Sequence, residues 1–147
     1  MNTATPPSDS STCLCRAGSA AATPERRSYA NCCKPLHVAG FAGLGTSPEQ
    51  TMRARYTAYA IGDEAFLLAT WHPSTRPESI DMSTGVEWHG LTVLNTTGTG
   101  LDREGSVEFK ARFRRNDAHL ELHELSAFVQ DGGRWFYVDG VDPDKNG

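Results

Sequence analysis

Apolar positions recur with two different periods along this chain, and the change of period divides it. Between Ser47 and Trp71 they return every three to four residues. Met52, Tyr56, Tyr59 and Ala60, with Arg55 beside them, form one stripe, which predicts a helix over Pro48–Ile61 packed by one face. Thr46 or Ser47 is the N-cap, with Pro48 early in the helix and Glu49 in the first turn. Gly62 ends this helix and Asp63 caps a second one. Ala65, Phe66, Leu68 and Ala69 carry the second helix to Trp71, and Pro73 stops it. Residues 73–85 read as a polar connection with room for one short helical turn over 77–83.

From Val86 the period becomes two. Leu91 and Val93 mark a strand over 88–94, and residues 96–104 read as a Gly/Thr-rich turn. Val107, Phe109, Ala111 and Phe113 alternate with Glu108, Lys110, Arg112 and Arg114, the pattern of a half-buried strand. Asn116-Asp117 turns the chain into a strand over 119–130, with Leu120, Leu122, Glu124, Ser126 and Phe128 in one phase. Asp131-Gly132-Gly133 is a hairpin turn before a last strand, on which Trp135, Tyr137 and Asp139 share a phase. Helices followed by an antiparallel meander give an α+β order.

The first third of the chain lacks such periodicity. It holds all four cysteines, as a C-x-C pair (Cys13, Cys15) and a C-C pair (Cys32, Cys33). Three readings stand. One is a closed four-thiolate zinc site. A second is two disulfides crossing between the pairs, because adjacent cysteines bridge each other only with strain. The third is four free thiols. Residues 1–12 are polar, with no basic start and no apolar core, so the chain is expected to stay in the cytoplasm, where thiols remain reduced and metal is favoured. His37 either replaces one thiolate or is a packing histidine. Residues 38–46, rich in Gly and Ala, read as a linker.

These residues carry a resemblance. The C-x-C pair followed by Tyr29-Ala30-Asn31-Cys32-Cys33-Lys34-Pro35-Leu36-His37 is similar to the SEC-C motif, the zinc-binding segment at the C-terminus of the bacterial preprotein-translocase ATPase. With Met52–Tyr56, Leu67–Pro77, Gly105–Phe113, Leu122–Glu124 and Gly133–Gly140, the chain resembles the YchJ (UPF0225) family of small bacterial proteins. The most specific run is Trp71-His72-Pro73-Ser74-Thr75-Arg76-Pro77. The chain departs from the family in writing C-L-C-R-A-G for C-P-C-G-S-G. It also inserts residues 19–26 between the pairs, a lengthening that costs little closure entropy. The resemblance implies a disordered tail over 1–12, a SEC-C-like zinc segment over 13–37, a linker over 38–46 and an NTF2-like (cystatin-like) domain over 47–147. In that fold a curved antiparallel sheet wraps helices into a cone with a pocket. Zn²⁺ is the implied cofactor, held by Cys13, Cys15, Cys32 and Cys33. The alternating strands are expected to keep the second domain folded without metal.

Composition limits the function. The formal net charge of −4 argues against nucleic acid as the main partner, since phosphate binding rests on a basic surface. No apolar run reaches membrane-spanning length. Phosphate-binding, nucleophile-elbow and zinc-protease signatures are absent, and no catalytic residue is assigned. Candidate pocket residues are Trp71, His72, Arg76, Glu124, Ser126, Trp135 and Tyr137. Glu124 with His72 or Tyr137 would suit proton transfer; alternatively Glu124 pairs with Arg53, Arg55 or Arg76 to hold helix on sheet. The expected function is an adaptor that docks another protein through the zinc knuckle, with the NTF2-like body as scaffold. The alternative is a small-molecule binder or weak enzyme using the cone.

Overall fold

The computed structural model describes residues 8–16, 28–38, 47–82, 85–99 and 101–145, without the side chains of Asn31, Val38 and Lys145. Residues 1–7 of the tail expected over 1–12, the inserted stretch 19–26 and residues 39–46 of the linker expected over 38–46 lie outside the described residues. Among the described residues, three α-helices precede four strands: α1 (Lys34–Val38), α2 (Pro48–Ile61), α3 (Glu64–Ala69), β1 (Glu87–Thr97), β2 (Glu104–Arg115), β3 (Ala118–Asp131) and β4 (Arg134–Val141). The strands form one antiparallel sheet in the order β1-β2-β3-β4.

Local chemistry sets these boundaries. Ser47 caps α2, its hydroxyl accepting from the Gln50 amide at 3.1 Å, and Gly62 closes the helix at φ 83°. Asp63 caps α3 through the Phe66 amide. Asn116 and Asp117, at φ 50° and 66°, make a two-residue turn whose twist suits the β2–β3 hairpin, and Gly132 and Gly133 do the same for β3–β4. Gly105 lies where β2 crosses both the end of β1 and the start of α2. A Cβ there would stand 2.6 Å from the Thr97 carbonyl oxygen and 2.7 Å from Pro48 Cγ.

Helix α3 stops at Ala69, before the expected Trp71. Its successor segment pairs with the edge of β4: the His72 amide donates to Tyr137 O (2.7 Å), the Tyr137 amide to Thr70 O (2.9 Å), and Thr75 Oγ1 to Val138 O (2.6 Å). The Trp71–Pro77 run therefore covers an edge strand that would otherwise present unpaired backbone groups. The described residues of the 77–83 stretch contain no helical turn. A bulge in the β3–β4 ladder leaves Val138 without a partner between the pairs Phe128–Tyr137 and Ala127–Asp139. The extra residue turns Asp139 outward, away from the face that Trp135 and Tyr137 share.

Helix α2 departs most from expectation. Every residue from Thr51 to Ala58 is buried, so the helix has two packed faces instead of one stripe. Met52, Arg55, Tyr56 and Tyr59 face the sheet; Gln50, Arg53, Ala54 and Thr57 meet the cysteine segment. Residues 8–12, read as tail, belong to that segment. Thr12 bridges Ser28, the Tyr29 amide donates to Ser11 O, and Asp9 pairs with Lys34 at 2.8 Å. The four cysteines, Tyr29 and Leu36 sit in the same buried cluster as Met52, Phe66, Leu91 and Phe128.

Candidate metal centre and pocket

A 3₁₀ turn over Leu14–Arg16 carries Cys15, and a second over Tyr29–Asn31 leads into Cys32 and Cys33 at the start of α1. These tight turns bring all four thiols together in full burial. Their sulfurs lie within 4.8 Å of one another. Cys15–Cys32 is 3.5 Å, Cys15–Cys33 3.7 Å and Cys32–Cys33 4.0 Å. A tetrahedral ion bound to each sulfur at about 2.3 Å needs sulfur–sulfur edges of about 3.8 Å. The separations match those edges and are far from the roughly 2.05 Å of a disulfide; all four cysteines are free. The donor set therefore fits a thiophilic metal ion.

Charge within the cluster supports the fit. Hydrogen bonding, from Cys15 first, lowers the Cys13 thiol to about 6. Bonds from Cys13, Cys15 and Cys33 hold Cys32 low as well. The same contacts push Cys15 and Cys33 up, as does burial. A divalent cation bound there would take the place of the thiol protons, because metal binding needs deprotonated sulfur.

Helix α2 completes the surroundings. Thr57 Oγ1 lies 3.4 Å from Cys33 Sγ and 3.7 Å from Cys13 Sγ. Arg53 Nη1 donates to Cys15 O at 2.8 Å while its Nε donates to Glu49 at 2.8 Å. Gln50 Nε2 donates to Cys32 O at 3.4 Å. His37 serves packing, not ligation. Its Nε2 donates to Ala54 O (2.9 Å), so its Nδ1 accepts from Tyr29 OH (2.9 Å), and burial holds the ring neutral.

On the opposite face of α2 a cavity of about 280 Å³ opens inside the curved sheet. Of the candidate residues, Glu124, Ser126 and Tyr137 line it. Trp71 lies behind it, edge-on to Tyr137 at 5.0 Å between ring centroids. Trp135 is wholly buried and does not reach the cavity. His72 faces a separate groove of about 240 Å³ with Ser74, Arg103 and Asp131, and Arg76 turns back to Trp71 O. Residues that the helical stripe had assigned to packing line the cavity instead: Met52, Arg55, Tyr56 and Tyr59, joined by Trp88 and Phe109.

Two polar groups define this cavity. Arg55 is 5% exposed. Its Nη1 donates to Leu67 O (2.8 Å) and Thr70 Oγ1 (2.7 Å), and its guanidinium lies 4.5 Å over Tyr137 and 5.0 Å over Trp71. Burial lowers its pKa. Glu124 Oε2 accepts from Ser126 Oγ at 2.5 Å, and its carboxyl occupies the space that a side chain at Gly140 would fill. No nitrogen of Arg53, Arg55 or Arg76 lies within ion-pair distance of Glu124; Arg55 feels its charge only through space, while its Nη1 serves Leu67 O and Thr70. The expected brace between helix and sheet is therefore absent, and His72 is too far from the cavity to share a proton with Glu124. Burial, then the Glu124 charge, raises the Tyr137 phenol.

Known proteins agree with this architecture. A family model described as the middle, NTF2-like domain of YchJ matches residues 47–140. A UPF0225 protein of Chromobacterium violaceum is 47% identical over 69% of this chain and 81% of its own length. A second, from Streptomyces coelicolor, is 40% identical over 77% and 87%. The solution structure of a SEC-C motif containing protein from Rhodopseudomonas palustris superposes with a TM-score of 0.73 at 32% identity, covering 89% of this chain and 98% of that one. A SEC-C motif containing protein from Psychrobacter arcticus gives 0.70 at 28%, over 87% and 80%.

Proposed function

The chain belongs to the YchJ (UPF0225) family, and we propose from that premise that it is a zinc-braced small-molecule binder whose working site is the cone cavity. In this reading Cys13, Cys15, Cys32 and Cys33 hold Zn²⁺ in a closed shell. The ion there supplies folding free energy and leaves no open position for a reactant. A reducing compartment such as the bacterial cytoplasm suits those thiols. The observation that carries the binder reading is Glu124: a carboxylate with no cation within ion-pair distance among the described residues, lining an aromatic-walled cavity on the side of α2 away from the cysteines.

The adaptor reading keeps one observation in its favour. Leu125 and Val141 lie opposite each other on β3 and β4, 38% and 48% exposed. A protein partner would then dock on the sheet instead of the knuckle, whose inner side α2 occupies. Native mass spectrometry with metal analysis tests both readings. One zinc per chain with a co-purifying small molecule supports the binder. A chain that arrives without metal and refuses zinc under reducing conditions removes the brace.

A further inference from the structure

We infer that the cavity selects a small organic cation, an amine or ammonium group on a compact apolar body, with Glu124 as its counterion. This inference rests on the binder reading and gives it a ligand class. Arg55 borders the cavity, but its Nη1 donates to Leu67 O and Thr70, its guanidinium also interacts with Tyr59, and the rings of Trp71 and Tyr137 cover it. Glu124 is available. Ser126 satisfies part of one oxygen, and among the described residues no lysine or arginine nitrogen lies within ion-pair distance.

A carboxylate is an acceptor only, so its natural complement is a donor. The surrounding walls add to this preference. Tyr56, Tyr59 and Trp88 border the cavity, and aromatic faces attract a cation and repel an anion. The charges of Arg55 and Glu124 offset each other at long range, so the choice is made locally, by the one that is reachable. At about 280 Å³ the cavity lies near the small end of ligand sites.

Gly140 builds the seat for this carboxylate. A Cβ added there would stand 2.2 Å from Glu124 Oε2 and 2.3 Å from its carboxyl carbon. Gly140→Ala must therefore move the carboxylate while keeping its charge.

The test uses the full zinc-loaded chain and three probes of one shape: cyclohexylammonium, cyclohexanecarboxylate and cyclohexanol. Binding is read by titration calorimetry and by the shift in melting temperature. The ammonium is expected to bind and the carboxylate not. Glu124→Gln weakens the ammonium by about tenfold or more, the size of a lost charge-assisted hydrogen bond. Gly140→Ala weakens it as well, and supplies the answer should Glu124→Gln fail to fold. Ala111→Leu, which fills the cavity wall, removes binding of any probe seated there. If cyclohexanol or the carboxylate binds as tightly as the ammonium, and Ala111→Leu abolishes it, the cation class is overturned while the binder reading survives. If the ammonium binds equally well to Glu124→Gln, the role of Glu124 is overturned. If none of the three binds at millimolar concentration, both readings fall.

Discussion

Replacing Arg53 with Met asks whether the cysteine segment and the α+β body are one unit. Arg53 is buried on α2, and its Nη1 reaches across to the backbone carbonyl of Cys15, itself a candidate ligand, at 2.8 Å. Methionine keeps the stem and deletes the donor. A hydrogen bond from a charged donor contributes about 1.5–3 kcal/mol, and leaving a buried carbonyl unpaired costs a similar amount. The docked, metal-loaded state should therefore lose about 1.5–3 kcal/mol. Where metal binding orders the segment against α2, that loss passes into apparent affinity, giving roughly ten- to hundredfold weaker zinc retention. Competition against a colorimetric chelator reads the affinity, and thermal unfolding of the loaded chain reads the stability. Glu49→Gln is the control. Glu49 is the more exposed partner of Arg53, so its effect should stay within about 1 kcal/mol. If Arg53→Met leaves zinc retention within a factor of about two of the parent, the two parts are energetically independent and the docking argument fails.

Three further outcomes are expected. Thr57→Val deletes the hydroxyl beside Cys33 and Cys13 at constant shape, and zinc should transfer to chelator about ten- to a hundredfold faster, with Thr57→Ser restoring it and the Co²⁺–thiolate absorption shifting in the Val variant. His123 donates from Nδ1 to Asp144 (2.8 Å) and from Nε2 to Glu108 (2.7 Å), and these bonds raise its pKa above the ordinary 6.5. The tether of the 3₁₀ turn at Pro143–Lys145 to the sheet is then fully present below pH 6.5 and lost as pH rises through the folded-state value, as hydrogen exchange near Asp144 against pH should show. Gly105→Ala drives a methyl into the Thr97 carbonyl and the Pro48 ring and should destabilise by about 1–3 kcal/mol in urea titration.

Much of this architecture is legible locally. Ser47, Pro48 and Gly62 carry the ends of α2 in their own backbone preferences, and the alternation of Val107 to Phe113 predicts β2 before any partner is known. The cysteine cluster is legible because few other arrangements suit two tight pairs of thiols. What escaped depends on distant contacts. Arg53 and Thr57 look like solvent-facing polar positions, and nothing near them announces the segment that covers them. Helix α3 ends two residues before the expected Trp71 because the chain there pairs with Tyr137, a preference no window around Pro73 contains. Phase puts Glu124, Ser126 and Tyr137 on inward positions, and these three line the cavity. It could not foresee the bulge at Val138 that turns Asp139 outward, or that His72 and Arg76, close to Trp71 in sequence, serve other surroundings.

A helix packed on both sides has an unusual mutational signature. Tolerance to substitution in a surface helix rises and falls with each turn, because one side meets water. From Thr51 to Ala58 every position is buried, so a saturation scan of this helix should give a flat, intolerant profile. Losses should sort by which neighbour they disturb: changes at Arg53 or Thr57 registering in metal content, changes at Met52 or Tyr56 in ligand occupancy.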